Sequence, residues 1–416
     1  MNVRRRSSAA ALAAIAVIGA ATAPAVAADP SPSSSPSRTA PSGLYGTTDP
    51  QYDGVWRQSL ALLAQDTAGV VPSSTAVKWL TDQQCANGAF APFRADPAAA
   101  CDAKTMVDSN STAAAVQALW AVGGHGDVVE SALGWLKSVQ NADGGWGYRP
   151  GTPSDANTTS VVVGALTATE TDPEKVVKDG KSPYDALLTF ALPCAKDKGA
   201  GAFAFQPDKD GKLLPNADAT AAGVLGALGE GLVAEAADKA DAASCTDADK
   251  PTREGAAANA AAYLPATLAK DGHLVSALGG SADQPDYGNT ADAVAALAAQ
   301  GGADRAAGPL AWLKKNAGQW AEESGPAAYA QLIFAAHATG TDPRDFGGTD
   351  LVERLNATGP APQGAKASDT ATGKAEDEDE KKDDSPFGVW WYVGVCLVFG
   401  IGIGFLISNR GKGQQP

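Results

Sequence analysis

Two hydrophobic patterns alternate along the chain between about residues 44 and 358. One opens on a polar residue and continues almost wholly in Ala, Val, Leu and Gly. Asn110-Ser111-Thr112-Ala113 leads into Val116-Gln117-Ala118-Leu119-Trp120, and Asn157-Thr158-Thr159-Ser160 leads into the apolar run 161–166. Asp218-Ala219-Thr220-Ala221 and Asn289-Thr290-Ala291-Asp292 open two more. A helix apolar on every face is a buried helix. The Asn or Asp at its start reads as an N-cap for free backbone N–H groups. The second pattern joins an aromatic residue to Leu, with Lys, Gln or Asp along one side: Lys78-Trp79-Leu80-Thr81-Asp82, Gly134-Trp135-Leu136-Lys137 and Ala311-Trp312-Leu313-Lys314. Those segments predict half-exposed helices.

Buried-type helices are expected near 54–66, 110–122, 157–169, 217–229, 289–300 and 326–339. Half-exposed helices are expected near 75–84, 128–140, 183–195, 254–269, 305–316 and 349–356. Period-two runs are missing, so strands are expected to be nearly absent. The unit recurs every 50–60 residues, and each aromatic-Leu helix is followed by a loop containing Gly. An open helical solenoid needs polar terminal repeats, and none is evident. A closed ring of six helical hairpins has no ends to cover. The expected fold is therefore all-α, an (α/α)6 toroid.

The flanks are of other material. Residues 1–28 read as an export signal: Arg4, Arg5 and Arg6, an apolar stretch 9–20, then Ala25-Val26-Ala27 as a cleavage site. Ser7 and Ser8 follow the arginines where a twin-arginine signal wants a hydrophobic residue, so the general secretory route is favoured. Residues 29–43 alternate Ser and Pro and are expected to be disordered. Residues 359–386 form an acidic stalk. Residues 387–408 carry no charge, and as a helix would span ~33 Å, enough for a ~30 Å hydrocarbon core. Trp390, Trp391 and Tyr392 sit at one end of that segment, Arg410 and Lys412 beyond the other. The positive-inside rule then places residues 409–416 in the cytoplasm and the ring outside a cell membrane crossed once.

Composition sharpens this. The chain has 416 residues with 32 Lys+Arg against 47 Asp+Glu, a net charge of −15. The leader and tail account for five positive charges, so the exported portion carries −20. Such acidity argues against a nucleic-acid partner. Of 5 Cys, Cys396 falls in the membrane segment. Cys85, Cys101, Cys194 and Cys245 are an even set in an oxidising address. Four cysteines allow three pairings; Cys85–Cys101 and Cys194–Cys245 are favoured because each brackets one inter-helix loop. Metal ligation is the alternative, but no C-x-x-C and no nearby His supports it.

The segment Trp135-Leu136-Lys137-Ser138-Val139-Gln140-Asn141-Ala142-Asp143-Gly144-Gly145-Trp146-Gly147 resembles the Q-W type repeat of squalene and hopene cyclases and protein prenyltransferase β subunits. Its continuation through Tyr148-Arg149-Pro150 to Asn157-Thr158 resembles bacterial prenyltransferase/squalene-oxidase repeat proteins. The resemblance covers about residues 50–356 and implies an α/α toroid. It also implies a structural task for the unit: Gln caps helix ends and Trp packs between neighbouring hairpins.

The family's chemistry is incomplete here. Hopene-type cyclisation uses an Asp-x-Asp-Asp-Thr motif whose coupled carboxyls poise a proton for an alkene. The match is Asn216-Ala217-Asp218-Ala219-Thr220, which keeps only the middle carboxylate, and a lone Asp at a helix start is commonly a cap. Aromatic residues are only 6% of the chain, thin for a cavity that must stabilise carbocations. Prenyl transfer needs zinc, and His125, His273 and His337 stand apart from one another and from free cysteines. Asp208-Lys209-Asp210-Gly211 fails as a calcium loop, since Gln206 and Ala217 would occupy ligand positions. Sequons at Asn110, Asn157 and Asn356 are accidental if the source is bacterial, as the Ala-rich composition and leader imply.

No metal or cofactor is expected. The leading expectation is a non-catalytic, membrane-tethered toroid that binds a ligand or partner at the cell surface, with corrinoids, lipids or isoprenoids, glycans and envelope proteins as candidate classes. Extracellular cobalamin carriers share the toroid and similar helix starts, but add a C-terminal β domain where this chain has a stalk. The alternative is a divergent terpene-cyclase-like enzyme with Asp218 as general acid. Candidate ligand-binding residues at the ring mouth are Asn110, Asn157, Asp218 and Asn289, with Trp146, Tyr148 and Tyr287 from adjoining loops.

Overall fold

A computed structural model describes residues 41–194, 199–240, 244–276 and 284–364. The leader, the membrane segment and most of the stalk lie outside these residues. No helix among the described residues is long and apolar enough to cross a membrane.

Twelve α-helices occur among them. Six are buried along most of their length: α1 (Gly54–Thr67), α3 (Ser109–Val122), α5 (Ala156–Ala168), α7 (Ala217–Leu228), α9 (Tyr287–Gly301) and α11 (Pro326–Ala338). Each follows its expected pattern, because Ala- and Gly-rich faces let backbones approach closely. The partners are α2 (Ser74–Asp82), α4 (Gly126–Ser138), α6 (Pro183–Phe190), α8 (Arg253–Leu268), α10 (Ala303–Ser324) and α12 (Leu351–Asn356). Helix α1 packs on α3, α3 on α5, α5 on α7, α7 on α9, α9 on α11, and α11 back on α1. That closed cycle, with each outer helix packed on the inner one of its hairpin, is an α-helical toroid.

Backbone and side-chain hydrogen bonds lock the seam where the cycle closes. Gly46 N donates to Thr358 O (2.8 Å), Gln65 Nε2 to Asn356 Oδ1 (2.6 Å) and Tyr45 Oη to Pro360 O (3.0 Å). Gln363 N donates to Val71 O at 2.9 Å. Residues 359–364, expected to begin the stalk, are therefore laid across the ring.

The ends of two helices also differ from expectation by several residues. Helix α6 stops at Phe190 rather than 195, because Pro193 biases Leu192 to extended backbone, and Leu192 N donates to Ala202 O (2.8 Å). Helix α10 runs to Ser324 rather than 316. Its buried stripe continues through Leu313, Ala317 and Ala321, and Gly325 at φ +77° ends it. Two short hairpins are also present, β1 (Ala204–Pro207) with β2 (Leu213–Pro215) and β3 (Leu274–Val275) with β4 (Pro285–Asp286). Asp208 to Gly211 form the tip of the first, with Asp208 Oδ1 accepting from Asp210 N and Lys212 N.

The repeat loops explain the Q-W pattern. Gln140 Nε2 donates to Gly144 O (2.8 Å) and Val176 O (3.0 Å), and Trp146 Nε1 to Leu136 O (2.7 Å). Gln84 does the same to Gly88 O and Val128 O. Gly144 sits at φ +89°, where an added Cβ would lie 2.2 Å from Ser182 O. Only glycine permits both that backbone and that approach. Cys85 is bonded to Cys101, and Cys194 to Cys245.

Candidate functional site

Four of the inner helices, α3, α5, α7 and α9, start from a common device. The caps are Asp108, Asp155, Asn216 and Asp286, whose side chains accept from Ser111 N, Thr158 N, Ala219 N and Asn289 N. They precede by two or three residues the Asn and Asp positions expected to cap. The threonine four residues after each cap joins the helix to the preceding loop. Thr112, Thr159, Thr220 and Thr290 accept from the backbone N–H of Phe90, Trp146, Phe203 and Leu274.

This displacement has a chemical result. With the caps supplied upstream, Asn110, Asn157 and Asp218 fall at the second helical position of α3, α5 and α7. They line a central cavity of about 450 Å³, together with Asn289 and Tyr148. Helices α1 and α11 add Trp56, Leu60, Gln331 and Phe334; the β1 hairpin adds Phe205; α9 adds Asp292. Four of the seven expected mouth residues are thus first-turn groups on one cavity, with Tyr148 as a fifth from the loop. Trp146 and Tyr287 are not among its lining residues. Trp146 is fully buried against Leu136. Tyr287 stacks on Trp320 (5.4 Å between ring centres) and tilts over Trp312, on the α10 side of the ring.

The cavity's polar groups are acidic and incompletely paired. Asn157 Nδ2 donates to Asp218 Oδ2 at 2.7 Å. Gln331 Nε2 lies 3.4 and 3.3 Å from the two Asp292 oxygens. Asn289 Nδ2 is tied to its cap Asp286 at 2.8 Å. Asn110 Oδ1, Asn157 Oδ1, Ser160 Oγ and Gln331 Oε1 are buried with no hydrogen-bond partner, and all four residues line the cavity.

Burial is the main cause of every large carboxyl shift. It pushes Asp218 up to about 6, opposed by the Asn157 bond. It pushes Asp292 up to about 8, with Asp218's charge adding to the effect. Asp155 rises to about 7 although Thr158 hydrogen bonds oppose the shift. Asp108 also rises to about 7, and Tyr148 is raised by burial and by the Asp108 charge. Asp218 and Asp292 are enclosed by protein yet keep partial access to the cavity, so these are protonatable groups within reach of a ligand.

Sequence reasoning passed over Asp292 and Gln331. Each is a polar residue inside an otherwise apolar buried helix, and that anomaly was the available signal. Trp56, Phe205 and Phe334 carried none, since an aromatic on a buried helix or strand reads as core. Among the described residues no group of three His, Cys, Asp or Glu could hold a metal ion. The histidines are dispersed, but His337 is not alone: its Nε2 lies 2.7 Å from Glu235 Oε1. His273 stacks on Trp312 at 4.2 Å.

No protein-family model matches the chain. No curated protein matches it in sequence. Among solved structures, it is similar to a protein from Actinoplanes at 17% identity and a TM-score of 0.45, over 72% of this chain and 80% of that one. It is also similar to ent-copalyl diphosphate synthase from Streptomyces platensis at 16% identity and a TM-score of 0.45. That match covers 69% of this chain and 51% of the synthase, so the chain spans about half the synthase's length. At such scores the fold rests on the closed helix cycle itself.

Proposed function

We propose that the protein is a non-catalytic binding toroid, held outside the cell membrane by residues 387–408, which takes one small molecule into its central cavity. The observation that supports this most is the set of unpartnered buried oxygens on Asn110, Asn157, Ser160 and Gln331. An unmade buried hydrogen bond costs about 1–3 kcal/mol, and native interiors leave few of them. Four around one cavity of about 450 Å³, with Trp56, Leu225, Phe205 and Phe334 as apolar walls, match the general form of a ligand pocket. The volume favours a drug-sized molecule over an envelope protein as occupant.

The test is a thermal-shift series on the purified full chain with a corrinoid, an isoprenoid lipid, an oligosaccharide and an aromatic amine. One class is expected to raise the unfolding temperature in proportion to the logarithm of its concentration. Asn157→Leu is expected to abolish that response while leaving the unliganded transition near its original temperature. A flat response to every class would remove the reading.

A second reading, a divergent isoprenoid cyclase, is favoured by one observation. The Asp218 carboxyl, raised to about 6, faces a cavity with the rings of Trp56, Phe205 and Phe334. Incubation with squalene and shorter isoprenoids decides between the two. Cyclised product that disappears with Asp218→Asn would establish the enzyme and end the non-catalytic reading.

A further inference from the structure

The orientation of two amides indicates the charge of the ligand. An ionised carboxylate only accepts hydrogen bonds, and a protonated carboxyl still accepts at its carbonyl oxygen, so an amide beside either can turn its NH2 toward it. Asn157 does this toward Asp218 at 2.7 Å, and Gln331 toward Asp292 at 3.3 Å. In each case the amide oxygen is left without a partner. Gln331 is only 7% exposed, and both residues line the cavity. Three of the four unpartnered buried groups of the cavity are therefore pure acceptors, the amide oxygens of Asn110, Asn157 and Gln331, and the fourth, Ser160 Oγ, accepts or donates.

Two features could have neutralised these carboxyls, and neither does. The N-terminal turns of α5, α7 and α9 bring partial positive charge, but each is already met by a cap side chain: Asp155 accepts from Thr158 N, Asn216 from Ala219 N and Asp286 from Asn289 N. Arg149 is the one cationic lining residue, against Asp155, Asp218, Asp292 and Glu230. Among the described residues, no salt bridge involves Asp218 or Asp292.

Resting on the binding reading above, we propose that the ligand is an organic cation: a protonated amine on an apolar body. Its N–H groups donate to Asn157 Oδ1 and Gln331 Oε1, its charge lies beside Asp218 and Asp292, and its apolar body meets Trp56, Phe205 and Phe334. Hydrogen bonds from a charged donor are roughly twice as strong as neutral ones, and aromatic faces add a cation–π term. A bound cation also holds both carboxyls ionised against the burial that raises them. Asp155 at the start of α5 acts on Asp218, and Asp286 at the start of α9 acts on both carboxyls, while Glu230 and Arg149 stand in the cavity wall. Binding near pH 7 accordingly releases protons to the buffer.

The experiment compares three probes of one shape on the full chain in nanodiscs, with empty nanodiscs subtracted: phenethylamine, 2-phenylethanol and 3-phenylpropionate. Calorimetry is run in two buffers of different ionisation enthalpy. Phenethylamine is expected to bind at least about tenfold more tightly than the alcohol, with proton release, and the carboxylate not at all; a tenfold ratio is 1.4 kcal/mol. Asp218→Asn combined with Asp292→Asn is expected to bring the amine down to the alcohol's affinity and abolish proton release. Should that double variant fold poorly, Gln331→Met keeps both carboxyls and is expected to weaken the amine about fivefold. An alcohol or carboxylate that binds as tightly as the amine, or a preference that survives these substitutions, overturns the cation and leaves the binding toroid standing. Failure of all three probes at millimolar concentration overturns the cation; joined to a flat thermal-shift series it removes the binding reading as well.

Discussion

Gln140 and Gln331 are the same residue at nearly the same exposure, 6% and 7%, yet they serve opposite ends. Gln140 spends both N–H groups on backbone carbonyls, Gly144 O and Val176 O, and so ties its hairpin to the next. Gln331 has only long contacts to Asp292 and keeps a buried oxygen unused. The first belongs to a repeat loop whose hydrogen bonds are complete, and completeness is what stabilises a fold. The second belongs to a cavity whose hydrogen bonds are incomplete, and that deficit is what a ligand can fill. Burial of a polar side chain alone does not separate structure from function. The accounting of its donors and acceptors does.

This contrast can be broken experimentally. The largest effect is expected at the loop: Trp146→Ala removes a fully buried indole and its bond to Leu136 O. It should cost about 3–5 kcal/mol, read as a fall in the urea midpoint. Next, replacing Cys85 and Cys101 together by Ala opens a loop of sequence separation 16. That should cost about 3 kcal/mol by chain entropy, seen in the same titration without reductant.

The sharpest comparison pairs the two glutamines. Gln140→Leu strands two carbonyls and should cost about 1–3 kcal/mol. Gln331→Leu removes an unused oxygen together with two long contacts to Asp292, and should cost no more than about 1 kcal/mol. Equal losses at the two sites would end the distinction drawn between them.

A pH trend tests the carboxyl side of the same contrast. Asp292 near 8, Asp155 and Asp108 near 7 and Asp218 near 6 all lie above an unfolded value of about 3.9. A carboxyl with a raised folded pKa binds its proton more tightly in the native state. Stability therefore rises as pH falls through the folded pKa values and stops rising near the unfolded one. The melting temperature of the unliganded protein should climb from pH 8.5 toward pH 5, and Asp292→Asn should flatten the upper part of that climb.

Helix number, order and type were legible because a six-fold alternation of wholly apolar and one-sided patterns admits few packings. The disulfide pairs were legible from the loops they bracket. Which of Asp108 or Asn110, and Asp155 or Asn157, caps its helix was not legible, since either residue can cap. The packing decides it: Thr112 and Thr159 accept from Phe90 N and Trp146 N, and that bond sets where each helix begins. Trp146 looked like a mouth residue because its loop adjoins the helix start, but its indole N–H is taken by Leu136 O inside the wall.

The sequence by itself determined twelve helices of two kinds and the glycine loops between them, because periodicity and backbone freedom are local properties. The tertiary structure alone decided that α11 returns to α1, and that Asp218, Asp292, Asn157 and Gln331 share one cavity. Those residues come from four helices as far as 174 positions apart, and no local rule couples their charges. Closing the ring removes them from water together, and that shared loss of solvent raises their carboxyls and leaves their amide oxygens unpaired.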